Sequence, residues 1–467
     1  MRRAPLATLA CLLVLVKAIQ YAIDSTAIFY FDSGAFILNA LGALFHPTRS
    51  YFWGYLMRAV ALPFHSLRAI VATQVAMGAV TAWLLGFMLL RFLRVRPTVA
   101  VLAALVFSID PLQVVHERLV MAECAALFVM ALFLIAAADY LEAPRWWKPG
   151  ILALLGVVLV GMRIVYLPLV VLAAVLLPVA AYVWSPGLNN VRSLVATLAI
   201  SCAATVALQL GYTHLTGWLA GREAAYNYEA GFFQLSGVAP IVDASDSDDP
   251  RVTRAIEEQN RTAFPLANAR LRPRQLWDAQ GIRLRLTAAF NGDERAANEA
   301  AQKLARTAIR RHPLRYARLG AHTYLEFWRY YRGLRHSALY EVGMAGNEIV
   351  KPWEVRAIQA GFGVDVSHQD RLRTPSRRYF LATLPWYLFL LVSPFVLGLV
   401  LCVLPRSAKF LLVPALLFLW SWMLIAATCL GAVEVVYRVL HPLSFTGIAG
   451  AAMLVETALS RTGRTPR

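Results

Sequence analysis

Charged side chains are scarce in this sequence: Asp, Glu, Lys and Arg make up 15% of it, against about 25% in an average soluble domain. That shortage argues against a water-soluble enzyme, a disordered chain and a coiled coil. Cysteine is also rare. The five present (Cys11, Cys124, Cys202, Cys402 and Cys429) all fall inside apolar blocks and none forms a CxxC pair, so neither a disulfide framework nor a thiolate metal site is expected. GxxxxGK[ST], HExxH and GxSxG are missing, which disfavours a nucleotide-hydrolysing pump, a zincin and a serine hydrolase. The hydrophilic part holds no strand-rich stretch and no internal repeat. Acidic residues are outnumbered 45 to 27 by basic ones, for a net charge of +18, and only five of the basic residues are lysines. On a chain that is mostly membrane, such a surplus points to anionic lipid or phosphate-bearing substrates rather than nucleic acid.

What is abundant is apolar sequence, 59% of 467 residues, gathered into blocks instead of being spread at core periods. A bilayer core about 30 Å thick needs about 20 apolar residues as helix. Ten stretches qualify: 5–23, 68–92, 98–115, 119–141, 149–162, 164–184, 191–212, 379–404, 409–430 and 435–459. The fifth and sixth are read as two spans joined by a tight turn at Arg163. Residues Met1–Arg3 precede the first span with no small-residue cleavage site after it, and that span is expected to be a retained anchor. The expected fold is therefore an all-α integral membrane protein of about ten transmembrane helices. Its parts are an N-terminal membrane module over 1–212 with a first loop at 24–67, a mainly helical extracytoplasmic segment over 213–378, and a C-terminal membrane module over 379–467.

Lysine and arginine in the short loops set the orientation. With the N-terminus cytoplasmic, RFLRVRP (91–97), EAPRWWKP (142–149), SPGLNNVR (185–192), PRSAK (405–409) and the tail SRTGRTPR (460–467) all fall inside, and each carries a basic residue. Both termini are then cytoplasmic. Within the long outer segment, 243–264 reads as an acidic loop leading into a helix. Residues 296–334 read as helix broken before Pro313, with Tyr316, Tyr324, Phe327, Trp328, Tyr330 and Tyr331 interleaved with arginines as in helices lying at a membrane surface.

All candidate chemistry lies on the outer side. Asp32 precedes a short amphipathic helix (Phe36, Ile37, Leu38, Leu41, Leu44, Phe45), and two roles stay open for it: helix N-cap, or a carboxylate held at the bilayer surface as a general base. His46, Arg49, Arg58 and His65 add positive or titratable character to the same loop. The next outer turn, SIDPLQVVHERLVMAECAALF (108–128), gathers Asp110, His116, Glu117 and Arg118, with Glu123 further on. His116 and Glu123 are two helical turns apart and share a face if the helix has begun. A carboxylate in an apolar helix requires a partner, Arg118 or Arg163 here, and is a functional candidate by default. Near the C-terminus, Glu434, Arg438 and His441 stand at i, i+4 and i+7 and would share one helical side. Several carboxylates and arginines at one membrane face suit a reaction on a phosphate-bearing lipid, carboxylates taking a proton and guanidinium groups neutralising the phosphate.

In this order of parts the chain resembles the GT-C superfamily of integral-membrane glycosyltransferases that use polyprenyl-phosphate-linked sugars. The likeness is to the branch of the protein mannosyltransferases and lipid A aminoarabinose transferases. The residues that carry it are FDSGAF with Asp32 in the first outer loop, DPLQVVHERLVMAE with Arg118 and Glu123, and GMRIVYLPLVVL with Arg163 and Pro168. HPLRYARL (312–319) and YRVLHPL (437–443) follow later in the chain. The resemblance implies catalytic roles for Asp32, Glu117 and Glu123, the choice of key second acid between the two glutamates staying open. It implies that Arg118, Arg163 and Arg438 contact the donor phosphate or order the site; from their places in the outer loops, Arg58 is added as a phosphate or lipid contact and Asp110, His116, Glu434 and His441 as supporting residues. It also implies single inverting displacement from a polyprenyl-phosphate sugar to a lipid, glycan or protein acceptor, at the extracytoplasmic face of a plasma (bacterial inner) membrane. Two departures matter: no proline directly follows Arg163, and the first loop has no DxD motif, so no obligate metal or other cofactor is expected. Competing readings are a lipid-linked glycan flippase or transporter, and a ligase or polymerase of similar topology. A transporter is expected to show related halves and mid-bilayer charges, and neither is evident.

Overall fold

The computed structural model describes residues 4–42, 51–184, 190–329, 334–344, 350–404, 408–431, 433–434 and 436–462. Of the residues singled out above, Leu44, Phe45, His46, Arg49, Tyr330 and Tyr331 lie outside them. Helix dominates throughout, as an apolar chain requires where backbone groups must satisfy one another. Among the described residues the one extended pairing is an isolated parallel bridge between Ile28 and Leu119.

The chain starts with α1 (Ala4–Ile23), then two short helices, α2 (Ser33–Leu41) and α3 (Tyr51–Ala61). After these come α4 (Leu67–Arg91), α5 (Pro97–Ser108), α6 (Pro111–His116), α7 (Glu123–Glu142), α8 (Lys148–Met162), α9 (Leu167–Trp184) and α10 (Val191–Ala220). Six further helices follow: α11 (Ala230–Val238), α12 (Pro250–Asn260), α13 (Arg272–Trp277), α14 (Ile282–Ala289), α15 (Glu294–Arg311) and α16 (Pro313–Arg329). The last six are α17 (Leu334–Glu341), α18 (Pro352–Phe362), α19 (Pro375–Ala382), α20 (Tyr387–Val403), α21 (Ala408–Gly431) and α22 (Pro442–Thr462).

Eight helices among the described residues, α1, α4, α7, α9, α10, α20, α21 and α22, are long and apolar enough to cross a membrane, and the protein is a multi-pass membrane protein. Two of the ten expected spans come out shorter. Helix α5 has 12 residues and α8 has 15, which is about 18 and 22 Å of helix at 1.5 Å per residue. The expected span at 98–115 stops at Ser108 because Asp110 caps a new helix at Pro111, its side chain accepting from the Gln113 N–H. The expected span at 435–459 begins only at Pro442, after a 3-10 turn over Tyr437–Leu440.

The chain divides into two compact units, one of residues 1–224, 332–424 and 437–467, the other of 225–331 and 425–436. The first unit thus unites both apolar modules with α17–α19, where the sequence suggested three consecutive parts. The loop after α1 shows why. The Asp24 carboxylate accepts from the Ser376 N–H of α19 at 3.0 Å, and the Phe29 N–H donates to the Gln369 side chain at 3.2 Å. A methyl group at Gly361 of α18 would press on Leu41 of α2, so the glycine lets those two helices meet closely.

The second unit is a small helical domain with its own core, including Phe232, Leu235, Ile256, Leu286 and Leu304. Helix α15 turns a ladder of Ala297, Ala301, Ala305 and Ala308 inward, and a side chain at Gly231 of α11 would collide with its backbone at Asn298. The helix ends at Arg311, just before Pro313, where the sequence calls for a break. The acidic loop leads into α12 as expected, with Asp249 as N-cap accepting from the Arg251 N–H at 2.9 Å.

Candidate active site

The bridge between Ile28 and Leu119 positions the first two carboxylates. The Ile28 N–H donates to the Arg118 carbonyl at 2.8 Å, and the Val120 N–H donates back to the Ile28 carbonyl at 2.9 Å. Because the two segments run parallel, Asp32 and Glu123, each four residues beyond the bridge, emerge on the same side. Asp32 holds the N-cap position of α2 but makes no capping hydrogen bond, so its carboxylate is not committed to the helix. Glu123 opens α7.

Two arginines complete the cluster. Arg163 has extended backbone between α8 and the 3-10 turn leading into α9, and its Nη1 lies 2.9 Å from Glu123 Oε1. Arg438 comes from the 3-10 turn before α22, its Nη1 3.9 Å from the same glutamate oxygen and 3.7 Å from Asp32 Oδ2. At these distances Arg438 spans the two carboxylates electrostatically rather than hydrogen-bonding either. Its guanidinium lies over the Tyr30 ring, 4.1 Å from the centroid. Its backbone is fixed by Glu341 at the end of α17, whose carboxylate accepts from the N–H groups of Tyr437 at 2.8 Å and Arg438 at 2.9 Å. The four side chains are 5–21% exposed, withdrawn from bulk water yet reachable. Two carboxylates and two guanidinium groups balance one another in formal charge.

His116, at the end of α6, meets His441 just before α22, their Nδ1 atoms 3.0 Å apart. Burial holds His116 far below its ordinary range, to about 3, with Arg438 and Arg163 pushing the same way. Burial and His116 hold His441 well below its range against Glu123. Both rings are therefore neutral. Asp110 is also buried, and its carboxylate accepts from the Trp386 indole at 2.7 Å. Burial pushes its acid up, opposed by hydrogen bonds from Gln113, Trp386, Leu112 and Ser444.

Glu117 and Arg118 are not brought to this cluster. Glu117 is wholly buried, its carboxylate receiving Lys17 Nζ at 2.6 Å, Gln113 Nε2 at 2.9 Å and Arg118 Nη1 at 2.8 Å. The Arg118 guanidinium also donates to the carbonyls of Asp24, Val114 and Gln20. An acid and a cation so fully occupied hold α1, α6 and the loop together, and a phosphate could reach Arg118 only by breaking them apart. Arg58 is exposed in the last turn of α3, and no contact among the described residues ties it to the cluster.

Two expected helical faces do not form. His116 and Glu123 sit on different helices, because 117–122 is a turn that makes the bridge with Ile28. Glu434 lies in the second unit, in a non-helical stretch, and so shares no helical side with Arg438 and His441. Glu341 and Tyr30 were not legible as site residues. Lys17 carried a signal, a lone lysine in an apolar span that must find a partner.

Beside the cluster lies an apolar groove of about 230 Å³ between α9 and α21, its wall including Leu177, Trp184, Leu411, Leu419, Trp420 and Met423. Trp420 stacks on Tyr166 at 6.3 Å, three residues from Arg163, so one end of the groove lies next to the charged residues. In the second unit Asp243, Asp246 and His312 come within cation-binding distance of one another. Arg315 Nη1 already lies 2.6 Å from the Asp243 carboxylate and Arg311 Nη1 3.7 Å from that of Asp246, making an ion-pair clasp that pins the acidic loop to the α15–α16 junction. Comparison with protein-family models, with curated proteins and with solved structures finds no match.

Proposed function

We propose that the protein is a membrane glycosyltransferase that moves a sugar from a polyprenyl-phosphate donor to an acceptor hydroxyl at the extracytoplasmic face of a plasma (bacterial inner) membrane. The observation that carries this reading is the Arg438 guanidinium spanning Asp32 and Glu123, with Arg163 on the same glutamate. The groove between α9 and α21 supports it by offering an isoprenoid chain an apolar berth beside those charges.

In this reading Arg163 and Arg438 hold the donor phosphate while Asp32 faces the acceptor. The acceptor oxygen attacks the anomeric carbon, and its proton passes to the Asp32 carboxylate. The bond from that carbon to the phosphate oxygen breaks with its electron pair staying on oxygen, and the guanidinium groups neutralise the charge. One displacement inverts the anomeric centre and releases polyprenyl phosphate. Glu123 orients both arginines, and Glu117 and Arg118 act as positioning residues.

The test is purified protein in liposomes with labelled polyprenyl-phosphate sugar and an acceptor extract. Folded Asp32→Asn is expected to lose transfer by about 10²–10⁴-fold, the usual worth of a general base. Full transfer by Asp32→Asn removes the aspartate as base. Lipid translocation without sugar transfer in the unsubstituted protein overturns the enzyme reading in favour of a flippase.

A further inference from the structure

The contact between His116 Nδ1 and His441 Nδ1 at 3.0 Å needs one proton between them, and only one. With both rings buried beside Arg163 and Arg438, an imidazolium is disfavoured despite Glu123 near His441, and two neutral arrangements are left. If His116 donates, His441 must carry its proton on Nε2. That atom is buried and has no hydrogen-bond partner among the described residues. Orphaned buried N–H groups are the rarest defect in native structures, and bare acceptors are better tolerated. If His441 donates instead, its Nε2 is a bare lone pair and the His116 proton moves to Nε2. Among the described residues no hydrogen bond uses His116 Nε2 either, but unlike His441 Nε2 that atom is not sealed from its surroundings, so an N–H there can meet an acceptor that arrives from outside. The ring is close enough to Arg438 and Arg163 to feel both charges.

We infer that His116 donates a hydrogen bond from Nε2 to the phosphate of the lipid-linked substrate, and that His441 is the positioning residue that locks the donating tautomer. A neutral imidazole adds a directed N–H beside two guanidinium groups without adding a third positive charge. The identity of the anion rests on the proposed function, whereas the tautomer assignment does not.

The test uses full-length protein in nanodiscs with ¹⁵N-labelled histidine, and polyprenyl phosphate as the probe. Unsubstituted protein is expected to show His116 as the Nε2–H tautomer and His441 as the Nδ1–H tautomer, with the His116 Nε2 resonance shifting as the probe binds. His116→Gln, whose amide nitrogen falls near Nε2, keeps affinity within about threefold. His116→Asn, which replaces only the Nδ1 side, loses about tenfold or more, the worth of a hydrogen bond to a charged group. His441→Asn, which can still donate toward His116, behaves like the unsubstituted protein, and His441→Leu behaves like His116→Asn. Reversed tautomers, or an unmoved His116 resonance at saturating probe, overturn the inference even if no variant folds. His116→Asn binding as tightly as His116→Gln overturns it too, since a merely structural contact needs Nδ1. If the protein binds the probe in this way but transfers no sugar, the proposed function fails while the phosphate contact stands.

Discussion

Arg438 is held from three directions: Asp32 and Glu123 at 3.7 and 3.9 Å, the Tyr30 ring beneath, and Glu341 on its own backbone. Lysine keeps the charge but loses the planar fork, so, if the proposed reaction holds, Arg438→Lys is expected to leave folding intact and lower kcat/KM for the proposed lipid-linked donor by about 10–100-fold. Loss of less than threefold would show that charge alone suffices. Glu123→Gln makes the opposite kind of damage, because it leaves Arg163 in a site 21% exposed without its carboxylate. Removing one partner of a largely buried pair costs about 3–5 kcal/mol, so this variant should melt lower in detergent, and Glu123→Gln with Arg163→Met should recover part of the loss. The histidine pair adds a pH term. Both folded-state pKa values lie below the ordinary 6.5, so the unfolded chain binds more protons between them. Their contribution to stability is full above about pH 6.5 and falls toward pH 3, by up to about 1.4 kcal/mol per pH unit for each ring. Melting followed from pH 8 to 4.5 should show a steeper decline in the unsubstituted protein than in His116→Leu with His441→Leu; equal slopes would mean the rings do not titrate on unfolding.

At the scale of elements, the α1–α4–α6 junction depends on space as much as charge. A methyl group at Gly78 of α4 would overlap the Glu117 carboxylate, whereas one at Gly150 of α8 meets nothing within 4 Å. Gly78→Ala should therefore displace the buried Lys17–Glu117–Arg118 network and lower the melting temperature sharply, while Gly150→Ala should be neutral or slightly stabilising through helix propensity. Equal melting of the two variants would mean Glu117 has room to move. The same contrast marks what one sequence can reveal. Long apolar runs, the break before Pro313, the turn at Arg163 and the acidic loop leading into α12 are local patterns, and each is read directly. Asp32, Glu123, Arg163 and Arg438 were legible as charges at one end of the apolar helices, and they end up linked by ion-pair distances. The assumed helical faces at His116–Glu123 and Glu434–His441 failed because a periodicity argument presumes unbroken helix. Residues 117–122 instead satisfy backbone groups on a segment about ninety residues away in sequence. Partners such as Lys17 with Glu117, or Glu341 with Arg438, leave no local pattern at all.

For the whole molecule, the end at which α1 and α8 finish and α4, α7, α9 and α22 begin carries the cluster. The basic short loops predict a cytoplasmic location for the opposite end, and the proposed reaction requires that polarity because the arginines proposed to bind phosphate must face the compartment holding the acceptor. Impermeant thiol labelling can decide it on a background in which the exposed native cysteines, Cys11 and Cys402, are replaced by serine. Trp146→Cys, at an exposed position between α7 and α8, should react only after cells are permeabilised, and Asp248→Cys, in the acidic loop before α12, should react in intact spheroplasts. The reverse pattern would place Asp32 and Arg438 on the cytoplasmic side. Nucleotide-activated sugars would then be the accessible donors, the groove between α9 and α21 would lose its role as the donor's lipid berth, and the chemistry assigned to the cluster would have to be rebuilt around a water-soluble leaving group.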